Sequence, residues 1–232
     1  MLSASSLKIL ACLFMLIDHV GVRLFPGVAL LRIIGRLAFP LFAFFIAEGC
    51  RYTRNRLKHF LSVFVLGCIC ESVYIIYMGG WYGNILLSFS LSILLIYMMQ
   101  WCRVKGGYVP YAVMVLALSL LAVALHYVNF DYGFTGIIAP LIMALPGDRA
   151  GEKEGISPPP PGKKLKLLLF TVAVMLTALG SPMGSRQLFA LLSLPLVWLY
   201  NGKAGNKKLK YFFYVFYPLH LLLIELAAMI MY

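Results

Sequence analysis

The sequence predicts an all-α fold, a polytopic bundle of membrane-spanning helices, on three observations. Of its 232 residues 62% are hydrophobic and only 12% are charged. The mean hydropathy is +0.90. A soluble domain of this length has no interior large enough for that much apolar surface, so lipid must be the solvent for most of it. The apolar residues also fall in runs close to the ~20 residues that a helix needs to cross a bilayer.

Taken in order, the runs lie near 7–25, 29–50, 57–78, 84–102, 109–128, 132–146, 165–180, 187–200 and 211–231. The sixth and eighth are short and carry Pro140 and Pro195, so about nine segments are expected, with eight or ten still open. The first run lacks a basic start and a small-residue cleavage site, and is expected to stay as a span. No internal repeat is visible.

Charge placement supplies an orientation. With a cytoplasmic N-terminus, the inside segments hold Lys8, Arg51, Arg54, Arg56, Lys58, Arg103, Lys105, Arg149, Lys153, Lys163, Lys164, Lys166, Lys203, Lys207, Lys208 and Lys210. These are 16 of the 20 Lys and Arg residues. The outside holds Arg23 and Arg186, while Arg32 and Arg36 lie in or at the mouth of the second span. That bias fits nine spans in the cell (plasma) membrane, and one miscounted span would scramble it. The whole chain, 1–232, reads as one transmembrane domain. A proline-rich cytoplasmic linker at 147–164, with a PPPP run suited to an extended spacer, divides six spans from three.

The net charge of +12 is explained by this topology, and no basic stretch interleaved with aromatics suggests nucleic acid. Cys12, Cys50, Cys68, Cys70 and Cys102 form an odd set without a CxxC pair, and read as apolar packing residues.

Ionisable residues inside apolar runs are costly, about 2.5–3.5 kcal/mol or more near the bilayer centre, and mark functional sites by default. The stretch "IDHV" puts Asp18 and His19 in the outer half of the first span. Arg32 and Arg36, four apart, share a face near the outer start of the second. Glu71, His126, Asp131, His220 and Glu225 also fall in the outer half or middle, and Glu48 lies near the inner end. Gathered round one wet cavity these groups neutralise one another, whereas each facing lipid alone would be far worse. Adjacent helical residues diverge by about 100°, so Asp18 and His19 need partners on other helices, with Arg32 or Arg36 the natural ion pair for Asp18. Against this stand plainer readings. The Asp18 pair is then only a packing salt bridge, His126 and Asp131 are solvated at the interface, Glu225 faces an oligomer contact or the outer surface, and Ser88 and Ser92 bond backbone. Pro40 and Pro218 bend their helices and help to shape a cavity.

The segments "LKILACLFMLIDHVG", "LRIIGRLAFPLFAFFIAEGCRYTRN", "GNILLSFSLSILL", "DYGFTGI" and "YPLHLLLI" resemble the TraX family of membrane acetylases linked to pilin acetylation in conjugation systems. The resemblance runs through most of the chain and weakens between 147 and 210. It implies acyl transfer from acetyl-CoA to an amine or hydroxyl of an acceptor protein, pilin-like, or of a surface glycan.

On that reading "RYTRNRLKH" supplies Arg51, Arg54, Arg56 and Lys58 for the phosphates of acetyl-CoA, although topology alone also puts positive charge there. A pantetheine arm spans the roughly 18 Å from Leu7 to His19. His19 is the expected general base, Asp18 holds the electrostatic balance, and Arg32 or Arg36 steadies the oxyanion or the acceptor. His220 is a competing base. No HExxH or comparable spacing indicates a metal. Two other classes stay open: a small proton-coupled transporter, and a non-catalytic scaffold for a surface or pilus assembly.

Overall fold

A computed structural model describes residues 1–145, 162–180, 184–206 and 209–231. Most of the 147–164 linker, with its proline run, lies outside the described residues. Those described are helical, with turns and one parallel bridge between Leu2 and Tyr200.

Helix α1 (Ala4–Arg23) starts at Ser3, whose side chain accepts from the Ser6 N–H at 3.2 Å. The second run is two helices, α2 (Ala29–Gly35) and α3 (Ala38–Tyr52). Pro40 explains the break, because it has no N–H to offer the carbonyl of Arg36. Asn55 caps α4 (Arg56–Met78), and Gly79, at φ 76°, ends it in a left-handed turn. Asn84 caps α5 (Ile85–Lys105). Then come α6 (Tyr108–Tyr127), α7 (Gly133–Ala144) and α8 (Lys163–Leu179). A 3₁₀ helix (Gly184–Ser193) runs into α9 (Leu194–Trp198), and α10 (Leu209–Met231) carries Pro218 in its interior.

All nine predicted runs are helical where described, yet among the described residues six helical stretches are long and apolar enough to cross a membrane: 4–23, 29–52, 56–77, 85–105, 108–127 and 211–231. The chain is therefore a multi-pass membrane protein, but nine spans do not follow from length. Helix α7 has only 12 residues, α8 has 17 and opens on Lys163, Lys164 and Lys166, and the eighth run is mostly 3₁₀.

Side-chain pairings fix how these elements run between two ends of the bundle, one marked by Asp18 and the other by Glu48. Leu2 N–H donates to the Leu199 carbonyl, Ser5 hydroxyl to Ala204, and Arg23 reaches Glu225, so α1 and α10 are parallel. Helices α5 and α7 are parallel too. Ser88 donates to the Asp131 carbonyl, Ser92 to Ile137 and Arg103 to Leu145. Helix α8 starts with Lys166 at Glu48 and finishes with Gly180 packed on Thr135. The next segment starts with Gln187 beside Arg36 and ends with the Tyr200 ring edge-on to Phe44. Were the six long helices alone to pass between the ends, α10 would oppose α1. The segments between α6 and α10 thus carry the chain from one end to the other an odd number of times.

The core is apolar, with Leu7, Phe44, Phe89, Ile93, Ile137 and Phe170 buried where α1, α3, α5, α7 and α8 meet. Helix α6 has only Pro110 fully buried and packs on the core through half-buried Met114, Leu118, Leu121 and Leu125, as a helix with its other faces turned toward lipid does.

Candidate functional site

The last turns of α1 carry Asp18 and His19 to opposite partners. Asp18 faces α2, which approaches closely because Gly21 and Gly35 leave no side chain in the way. A Cβ on Gly21 would lie 2.7 Å from the Leu31 Cβ, and one on Gly35 would overlap the Asp18 carboxylate. Into this gap Arg36, 4% exposed at the α2–α3 break, sends Nη2 to within 2.7 Å of both Asp18 oxygens. Arg32 Nη1 approaches Asp18 Oδ2 at 2.8 Å from one turn earlier. Both predicted arginines therefore pair with Asp18.

His19 faces α10. Its Nδ1 lies 2.9 Å from His220 Nε2, with the two ring planes within 9° of parallel. His220 Nδ1 is 2.9 Å from the Phe216 carbonyl one turn back. A carbonyl only accepts, so His220 Nδ1 carries the proton and its Nε2 accepts in turn. His19 Nδ1 must then donate, which leaves the lone pair of the neutral imidazole on His19 Nε2. Among the described residues that atom has no hydrogen-bond partner. The carbonyl–His220–His19 chain fixes one tautomer and one ring orientation, and presents one base. Phe216 stacks on His220 at 5.0 Å and Tyr217 meets it edge-on at 5.4 Å, so packing also holds the inner ring.

Two uncharged residues that composition and charge gave no reason to single out complete the surroundings of Arg36. Its Nη1 donates to the Tyr132 hydroxyl at 3.2 Å and to Gln187 Oε1 at 3.4 Å. Tyr132 sits at φ 61°, a left-handed conformation outside glycine, and stacks on Phe39 at 4.0 Å. Nearby Asp131 is half-buried rather than simply solvated. Burial pushes its carboxyl from the usual 3.8 up to about 6. Arg36 and Arg32 pull it back down and Asp18 adds to the rise. The Tyr82 phenol is likewise pushed up to about 12, first by Asp131 and then by burial. Arg32 and Arg36 lie within electrostatic reach of His19 as well, so the Asp18 and His19 sides belong to one polar region.

The remaining polar groups have other places. Glu71 accepts the backbone N–H groups of Tyr82, Gly83 and Asn84 and so closes the loop before α5. Glu225 is held by Arg23 Nε at 2.7 Å, beside a cleft of about 270 Å³. His126 is exposed, while Ser88 and Ser92 bond backbone carbonyls. At the opposite end Arg51 is buried against Glu48, which Lys166 also bonds at 2.9 Å. Arg54, Arg56 and Lys58 are exposed there, with Arg56 over the Tyr97 ring at 5.5 Å. The four basic residues thus divide into one buried ion-pair member and three open to a ligand. Among the described residues no three His, Cys, Asp or Glu side chains gather closely enough to hold a metal ion.

The chain is 28% identical to the probable fimbrial assembly protein FimC, serogroup H1, of Dichelobacter nodosus, over 98% of this chain and 96% of that protein. It is 29% identical to an uncharacterized protein of Rickettsia prowazekii (strain Madrid E), over 47% of this chain and 52% of that one. No solved structure matches. The family described as TraX protein matches residues 3–227, a span that takes in Asp18, His19, Arg36, Gln187 and His220, and this chain belongs to that family.

Proposed function

We propose that the protein is an integral membrane acyltransferase that moves acetyl from acetyl-CoA to an amine or hydroxyl of a surface acceptor. The observation that carries this reading is the hydrogen-bonded chain from the Phe216 carbonyl through His220 to His19, because it leaves one oriented lone pair on His19 Nε2. His19 Nε2 takes the proton of the acceptor as it attacks the thioester carbonyl. The tetrahedral intermediate collapses, the carbon–sulfur bond breaks, and the CoA thiolate recovers the proton from His19. His220 keeps His19 in the tautomer that can act. The positive charges of Arg32 and Arg36 favour the negative charge that develops on the carbonyl oxygen.

Acetyl-CoA enters at the end marked by Arg54, Arg56 and Lys58, whose exposed charges suit its phosphates. That end is cytoplasmic, as the distribution of Lys and Arg implies. The parallel course of α1 and α10 agrees with nine traverses, N-terminus inside, in the cell membrane. A pilin-like acceptor is supported by the fimbrial role in the name of the Dichelobacter relative.

Incubating the purified protein with labelled acetyl-CoA tests this, with free CoA and labelled products measured with and without a pilin-like protein. Acceptor-dependent release of CoA supports the reading. Uptake of a substrate into liposomes driven by a proton gradient, with acetyl-CoA left intact, would replace it with a transporter.

A further inference from the structure

Arginine offers hydrogen-bond donors and no acceptor. Where its Nη1 meets a phenol and an amide it takes the accepting end of each, and so decides where their protons point. At Arg36 this happens twice on one nitrogen. The Tyr132 oxygen lies 3.2 Å and Gln187 Oε1 3.4 Å from it. The amide cannot be turned over, because its NH₂ would then face the guanidinium. Tyr132 is left with an O–H and Gln187 with an NH₂ to give elsewhere. Gln187 is fully buried at 0% exposure, and its Nε2 has no partner among the described residues. The Tyr132 O–H has no acceptor there either. A buried amide donor without an acceptor is costly, on the order of 1–3 kcal/mol, and calls for a ligand that supplies an oxygen.

Arg36 itself is in no position to serve that ligand. Nη2 is committed to both Asp18 oxygens, Nε donates to the Arg32 carbonyl at 3.4 Å, and Nη1 is shared between Tyr132 and Gln187. Its charge reaches the ligand only through the two neutral groups that it polarises. Donors that are uncharged, rigidly held and backed by a cation suit an oxygen that begins neutral and gains negative charge. They suit a carboxylate or phosphate less well, since those arrive fully charged and favour a free guanidinium fork.

We infer that the Gln187 amide and the Tyr132 hydroxyl form an oxygen-binding subsite that receives the carbonyl oxygen of the acyl group being transferred. This rests on the acyltransferase reading above and moves the oxyanion contact from the arginines themselves to two uncharged residues. The 3₁₀ conformation around Gln187 is part of the arrangement, because it brings an irregular segment, packed against α2, α3 and α8, up to Arg36.

The test uses the full-length purified protein and two variants. Gln187→Glu keeps an acceptor for Arg36 but gives up the NH₂, and Tyr132→Phe gives up the hydroxyl. Each is checked by its melting temperature, and Tyr132→Phe carries the test if Gln187→Glu does not fold. The readouts are kcat and KM for acetyl transfer and the infrared stretch of carbonyl-¹³C-labelled acetyl-CoA when bound. The expected result is a kcat lower by roughly 10²–10³-fold with KM little changed. The bound carbonyl stretch should be shifted to lower frequency in the parent and return toward the free value in the variants. Variants that fold and retain both kcat and the shifted stretch, in a protein that transfers acetyl, overturn the subsite and leave the acyltransferase reading standing. A parent protein that neither binds nor consumes acetyl-CoA overturns both.

Discussion

Gly35 presents its bare α-carbon to the carboxylate of Asp18, and a Cβ there would overlap the carboxylate atoms. The absence of one side chain on α2 is therefore what lets a charged residue on α1 seat itself between Arg32 and Arg36. Replacement of Gly35 by Ala forces either the helix or the carboxylate to move. A loss of about 1–3 kcal/mol is expected, the usual cost of overpacking a tight contact. Acetyl transfer should fall with it, because Asp18 adjoins His19. A melting curve in detergent checks this, and an unchanged midpoint would mean that the two helices adjust freely.

Arg36 is expected to contribute more to stability than Arg32. It holds both Asp18 carboxylate oxygens at 2.7 Å with 5% of its side chain exposed, whereas Arg32 reaches Oδ2 at 2.8 Å with 18% of its side chain exposed. Removing one member of a buried pair costs about 3–5 kcal/mol, less whatever Arg32 retains. Arg36→Ala should thus lower stability by about 3 kcal/mol, and Arg32→Ala by distinctly less. Arg36→Lys should fail to rescue, since an ammonium cannot reach Asp18, Tyr132 and Gln187 together. Equal losses for the two alanine variants would contradict this ranking.

Asp131 should make stability fall as pH rises. Its carboxyl is raised from 3.8 to about 6 by burial, so between those values the folded chain holds the proton more tightly than the unfolded one. Its contribution to stability is full below pH 4 and is lost as pH rises to 6. Above pH 6 the ionised group remains a burden. Asp131→Asn should remove that slope and stabilise the protein at pH 7, by on the order of 1–2 kcal/mol. Melting temperatures of both proteins from pH 4 to 7 provide the comparison. Parallel curves would show that Asp131 titrates normally.

The basic residues at the other end separate binding from stability. Replacing Arg54, Arg56 and Lys58 together by Ala should raise KM for acetyl-CoA about tenfold, with little change in melting temperature, since exposed charges give about 0.2–1 kcal/mol each. Arg51→Ala should do the reverse, because it strips Glu48 of a buried partner. Isothermal titration with CoA alongside melting curves distinguishes the two effects.

Much of this architecture was legible because it follows from lipid as solvent. Long apolar runs locate the helices, and ionisable residues within them have to find each other, which is why Asp18 leads to Arg32 and Arg36; that His19 meets His220, which reads from sequence as a competing base, emerges only from the structure. What the sequence hid depends on shape. Gln187 and Tyr132 carry no charge, and one lies on a 3₁₀ turn while the other has a left-handed backbone that no periodicity announces. Arg51 reads like its neighbours Arg54 and Arg56, yet the turn of α3 buries it on Glu48. Glu71 looks like a member of the polar cluster, but the loop at 82–84 folds back and takes its oxygens. The short runs after α6 differ from spans only by a few residues, so their course emerges from contacts such as Lys166 with Glu48 rather than from their length.

The paired histidines give the most direct test. Acetyl transfer from labelled acetyl-CoA should be measured as kcat/KM for the parent protein, His19→Ala and His220→Ala. With His19 Nε2 as the base, His19→Ala should lose about 10²–10⁴-fold. His220→Ala, which removes only the group that orients it, should lose less and retain the same acceptor. If His19→Ala kept full transfer while His220→Ala abolished it, the chain of hydrogen bonds would run to the other ring, and the assignment of the base would be wrong.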